Sequence, residues 1–116
     1  MHVTPEMLER TYSLLCVTLP FRRWKMPHPD ELGFRVSAHR DRHAHYRNHN
    51  GVKEICVSQV HVKDLDKLTR DVGHEMVHLR LDETGNSRVN HGPKFIRLAT
   101  IVCRRNKWDL QEFISG

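Results

Sequence analysis

The chain has 116 residues, 38% of them apolar and 28% charged, with a formal net charge of +5. This is the length of one ordinary domain and the balance of a folded globular protein, which excludes a disordered or fibrous chain. No apolar run approaches the ~20 residues of a membrane span, and MHVTPEMLER lacks the basic start and apolar stretch of a secretory signal, so a cytoplasmic protein without a membrane partner is expected.

The first predicted element is a helix within TPEMLERTYSLLCVTLP. Thr4 suits its cap, Pro5 its first position and Glu6 its positive end. Leu8, Tyr12, Leu15 and Leu19 recur at helical spacing, and Pro20 is expected to end the helix. FRRWKMPHPDE reads as a proline-punctuated connection. LGFRVSAH and AHYRN read as short strands around a charged turn. NHNG, residues 48–51, is a turn of the Asn-Gly kind, and the β-branched run VKEICVSQVHV is the best strand candidate. DLDKLTRDVGHEMVHLRL is the clearest helix. Asp64 is placed to cap it, and Leu65, Leu68, Val72, Met76 and Leu79 form one apolar stripe. Gly73 is a weak point worth ~1 kcal/mol against alanine. A polar loop from Asp82 to His91 precedes a third helix near Pro93, with Phe95, Leu98, Ala99 and Val102 facing inward. WDLQEFI predicts a last short helix, with Asp109 and Glu112 as a capping box.

Neither repeat nor linker interrupts the sequence, so residues 1–116 are expected to form a single domain. The expected fold is α+β, a small antiparallel sheet packed on three or four helices. Cys16, Cys56 and Cys103 are odd in number and show no CxxC spacing, which predicts buried thiols in a reducing compartment. Positive charge gathers in FRRWK, RVSAHRDRHAHYR and CRRNKW, interleaved with Trp24, Tyr46 and Trp108. That pattern is compatible with a nucleic-acid partner.

The chemistry lies in His74-Glu75-Met76-Val77-His78. Residues four apart on a helix are neighbours, so two imidazoles at that spacing can reach one ion. On a helical wheel with His74 at zero, His78 falls at ~40° and Glu75 at ~100°, while the apolar stripe centres near 150°. Both histidines should therefore face away from the core, with the Glu75 carboxylate at the edge of the metal site without being a ligand. A carboxylate there can take a proton from a zinc-activated water and pass it to a leaving amine. Three protein ligands with one open position would make the site catalytic. His91, Asp82, Glu83 and Cys56 are the candidates for the third ligand, with His61 a weaker one. Tyr46, His45 and Arg88 are the candidates to stabilise an oxyanion.

HEMVHL followed by a loop and HGPKF resembles the SprT-like metallopeptidases, the group that includes the Spartan DNA–protein crosslink proteases. The likeness is specific over residues 52–95. It implies a zincin-like minimal metallopeptidase domain with Zn2+ on His74, His78 and His91 and with Glu75 as the catalytic glutamate. Gly92 and Phe95 match the rest of the HGxxF element. It also implies a zinc-dependent endopeptidase acting on protein or peptide substrates, among them DNA-associated proteins, with the substrate chain added to the edge of a strand beside the metal helix. The cysteine-rich ribbon and long tails of some members have no counterpart in this sequence, so any DNA must be met by the basic segments. EICVS before GHEMVH is similar to the peptide deformylases, but Ile55 stands where they carry glycine and Val77 where they carry aspartate. Two other expectations are a regulatory HExxH protease that cuts a repressor and a non-catalytic, zinc-containing nucleic-acid-binding module.

Overall fold

Thr4 opens the first helix as its sequence predicts, its side chain accepting the Met7 N–H at 3.2 Å with Pro5 in the first turn. In the computed structural model, which describes residues 1–86 and 90–115, this helix, α1, spans Pro5–Cys16. It stops well short of Pro20. Its last turn tightens instead, with the Val17 and Thr18 N–H groups donating to the Leu14 and Leu15 carbonyls. The connection that follows is more ordered than expected. It holds a short helix, α2 (Phe21–Trp24), and a 3-10 turn at Pro29–Glu31.

Strands β1 (Leu32–Ser37), β2 (Ala44–His49) and β3 (Val52–Ser58) form one sheet in the order β1-β3-β2. The sheet is mixed, which corrects the antiparallel expectation. β2 and β3 make an antiparallel hairpin through Asn50 and Gly51, both left-handed with φ of 53° and 85°. β1 pairs with the other side of β3 in parallel, from Leu32 opposite Lys53 to Ser37 opposite Ser58. Composition explains the order. β3 buries Ile55, Cys56, Val57 and Ser58 in succession and takes the centre, where both its edges are paired, while the more polar β1 and β2 lie outside. β3 ends at Ser58, and residues 59–61 form a 3-10 turn rather than more strand.

Helix α3 spans Leu65–Glu83, with Asp64 accepting the Lys67 N–H at 2.9 Å as its cap. Helix α4 spans Pro93–Asn106 and α5 spans Leu110–Ser115, the latter started by Asp109, which accepts the Glu112 N–H at 3.0 Å. α3 touches α1, α4, α5, β2 and β3 and is the central element. The predicted stripe is buried at Leu68, Val72, Met76 and Leu79, but Leu65 in the first turn is 63% exposed, and burial extends instead to Gly73, Val77 and Leu81. Gly73 therefore has a packing role. A Cβ there would sit 3.3 Å from the Trp108 ring and 3.6 Å from the Phe113 ring, so the missing side chain lets the α4–α5 corner close onto α3. Of the aromatics noted among the basic segments, Trp24 stands edge-on to Phe21 under Arg80, Tyr46 packs toward the core, and Trp108 covers Gly73.

Candidate metal centre

One turn of α3 carries His74 and His78, and the residue before the N-terminal glycine of α4 carries His91. Their Nε2 atoms converge. His74 Nε2 lies 3.2 Å from His91 Nε2 and 3.3 Å from His78 Nε2. Two nitrogens bound tetrahedrally to one ion at ~2.0–2.1 Å stand about 3.3 Å apart, so these separations fit a shared metal. A hydrogen-bonded cluster fits less well. His74 Nδ1 lies 2.6 Å from the Phe113 carbonyl, to which it donates, and this leaves Nε2 deprotonated with a single lone pair facing two neighbours. A backbone carbonyl behind a ligating imidazole is the usual way a metal site fixes ring orientation and tautomer. Among the described residues, His74, His78 and His91 are the one group of three donors close enough to hold an ion.

Phe95 explains why an aromatic follows His91 by four. Its buried ring stacks on His91 at 4.4 Å and on His78 at 4.6 Å, and lies 5.0 Å from His74. It thus backs all three imidazoles. The wheel places the histidines opposite the apolar stripe, but that side is largely covered and opens only onto a cleft. Phe95 and Phe113 cover it, and His74 is only 4% exposed.

The other candidates for the third ligand are elsewhere. Asp82 lies inside α3, accepting from the Tyr46 hydroxyl at 2.5 Å and from the Asn48 amide at 2.9 Å. Glu83 pairs with Lys53. Cys56 follows the strand alternation onto the outer face of β3, between Arg35 and His45 in register, while Ile55 and Val57 face the core. His61 stacks on His43 at 4.1 Å and meets the Arg40 carbonyl. Of the oxyanion candidates, Tyr46 has its hydroxyl committed to Asp82. His45 lies near Arg35, 3.5 Å away, on the face of β2 opposite Tyr46. Arg88 lies outside the described residues.

Glu75 is 2% exposed, and its Oε2 is 3.9 Å from His74 Nε2. Burial raises its carboxyl to about 8, helped by the Asp71 carboxylate one turn earlier and opposed by Arg42 and the Tyr46 backbone N–H. Asp71 is itself buried, with Oδ1 on Lys67 at 2.6 Å and Oδ2 unpartnered among the described residues. Burial lowers His74 to about 4 and His78 to about 3, with the neighbouring imidazoles adding to the effect, and it lowers His91 as well. At neutral pH the imidazoles are thus in the form that binds metal.

These shifts set a pH dependence for the metal-free protein. Unfolded imidazoles take protons below 6.5 that folded His74 and His78 refuse until about 4 and 3, so their contribution to stability falls as pH drops below 6.5. Glu75 acts in the opposite sense. Unfolded it loses its proton near 4.5 and folded near 8, so its contribution falls as pH rises across that interval. His91, lowered as well, joins His74 and His78, so the imidazoles outweigh Glu75 below 6.5 and Glu75 takes over as they lose their protons above it. The urea midpoint of the metal-free protein should therefore peak between about pH 6.5 and 7. A midpoint still climbing between pH 7 and pH 8 contradicts a buried, protonated Glu75.

The three imidazoles and Glu75 open onto a cleft of about 600 Å³, lined also by Arg42, Ala44, His45 and Tyr46 and by Asn86 and Asn90. β2 forms the unpaired edge of the sheet here. The Ser58 N–H donates to the His43 carbonyl at 2.8 Å, so by strand alternation Ala44, Tyr46 and Asn48 turn their backbone groups to the open side. Sequence reasoning missed Arg42, the Phe113 carbonyl and the backing role of Phe95. Only Phe95 had a signal, its fixed distance from His91. Comparison with protein-family models, curated proteins and solved structures finds no match to this chain.

Proposed function

We propose that this protein is a zinc-dependent endopeptidase of SprT-like type with a minimal zincin-like domain. The observation that carries the proposal is the convergence of His74, His78 and His91 Nε2 on one point, with the Glu75 carboxylate beside it at the floor of an open cleft. An all-imidazole set with one face open to the cleft suits Zn2+ in a catalytic rather than a structural role. Zinc bound there supplies a Lewis acid for the scissile carbonyl and acidifies a coordinated water toward pKa ~7.

The chain's own residues do the rest. Glu75 takes the proton from the attacking water and carries it to the leaving amine. Its carboxylate lies in the cleft floor beside β2, whose outer edge is open. An extended substrate chain adds to that edge beyond Tyr46, through the backbone groups of Ala44 and Asn48, which brings its scissile bond past the imidazoles. Phe113 and Phe95 hold the imidazole rings, so that substrate meets a site already in position. A DNA-associated protein is one such substrate, its nucleic acid met by the exposed Arg22, Arg23, Arg104 and Arg105.

The proposal is tested by incubating the zinc-loaded protein with an unfolded basic protein, with and without DNA. Cleavage should stop on chelation and return with added zinc. Absence of cleavage by fully loaded protein across a broad peptide library counts against the activity.

A further inference from the structure

We infer that the cleft takes a substrate bearing a carboxylate beside its scissile bond, and that Arg42 engages that carboxylate. The inference rests on the peptidase reading and adds a substrate class to it. Beyond the three imidazoles and Glu75, the cleft is lined by Arg42, Ala44, His45, Tyr46, Asn86 and Asn90. Among these described residues Ala44 is the one aliphatic side chain, so the described walls offer a substrate mainly polar contacts.

Apart from Glu75 in the floor, the one charged side chain among the described lining residues is a cation, Arg42. Arg42 is exposed and makes no ion pair among the described residues. Its basic neighbours differ, because Arg35 and Arg47 both bond Glu54 Oε1 at 3.1 Å on the outer face of the sheet. Lys94 is not in the lining but bonds the Oδ1 of Asn86, which is, at 2.5 Å. The carboxylates nearby are already occupied or covered. Asp82 holds Tyr46 and Asn48, and Glu75 lies buried in the floor. Arg42 also stands two residues before β2, so a chain added to the open edge passes it at one end. Its planar fork suits a carboxylate better than any other group a peptide offers. That carboxylate can belong to an Asp or Glu side chain or to a free C-terminus.

Binding to the zinc-loaded Glu75→Gln protein separates these cases without turnover. Calorimetry with C-terminally amidated peptides carrying Glu or Gln at each position in turn should find one position where Glu binds about tenfold tighter or more. The ratio should fall to about one in Glu75→Gln/Arg42→Gln and favour Lys in Glu75→Gln/Arg42→Glu, with zinc content unchanged in both. If the advantage appears only when the C-terminus is free, the carboxylate recognised is the chain end. Equal binding of Glu and Gln peptides, and of free and amidated ones, overturns the inference. So does a preference that survives both Arg42 substitutions. Cleavage by the wild-type protein is scored separately. Turnover without any charge preference leaves the peptidase reading and removes this one. Preference without turnover does the reverse, leaving Arg42 as a carboxylate-binding residue.

Discussion

Replacing Glu75 with glutamine is expected to lower peptide cleavage by about 10²–10⁴-fold while zinc content stays at one ion per chain. Glutamine fills the same volume. Burial already holds Glu75 neutral in the metal-free protein, with its carboxyl raised to about 8, so a neutral amide costs the fold little. What the amide cannot do is take a proton. In the loaded protein a divalent charge a few ångströms from the carboxylate favours its ionised form, which is the form a base requires. The ligands are untouched, because Glu75 Oε2 stands 3.9 Å from His74 Nε2 and forms no part of the imidazole cluster. Zinc analysis and initial rates on the same preparation check both halves. Cleavage within a few-fold of wild type rejects the role given to Glu75, and loss of zinc along with cleavage makes it a ligand instead.

Replacing His91 with alanine is expected to weaken zinc binding by more than about 100-fold, since losing even a partner outside the ligand set costs ~10–100-fold. Binding to the folded state alone stabilises it. Zinc at 1,000 times its dissociation constant adds ~4 kcal/mol, or about 15 °C in Tm for a domain of this size. In the His91→Ala variant at the same zinc concentration the gain should shrink to about 5 °C or less. His91 is exposed, so the metal-free Tm should hardly move. Differential scanning calorimetry with and without zinc reads both numbers. An undiminished zinc shift in the variant removes His91 from the site.

The parts of the fold that rest on local chemistry are legible in the sequence. Thr4 and Asp64 cap helices where expected, and Asn50-Gly51 turns the hairpin. Pairing between distant segments is not legible in the same way. Nothing local in LGFRVS says whether it joins β2 or crosses to the far side of β3, and that choice made the sheet mixed. The site divides along the same line. His74, Glu75 and His78 sit on one helix, and their spacing alone brings them together. His91 reaches them across the chain, and the sequence alone left Asp82, Glu83 and Cys56 as rivals. The fold separates them by strand parity for Cys56, by the bonds to Tyr46 and Asn48 for Asp82, and by the pair with Lys53 for Glu83. Two functional groups had no local signal. The Phe113 carbonyl is a backbone group brought in by α5, and Arg42 is one cation among several until the others find partners.

X-ray absorption at the zinc edge of the loaded protein tests the central claim most directly. Three imidazole nitrogens at ~2.0–2.1 Å with one further light atom, and loss of one imidazole contribution in His91→Ala, is the predicted result. A sulfur scatterer near ~2.3 Å, or a chain that takes up no zinc at neutral pH, would contradict it.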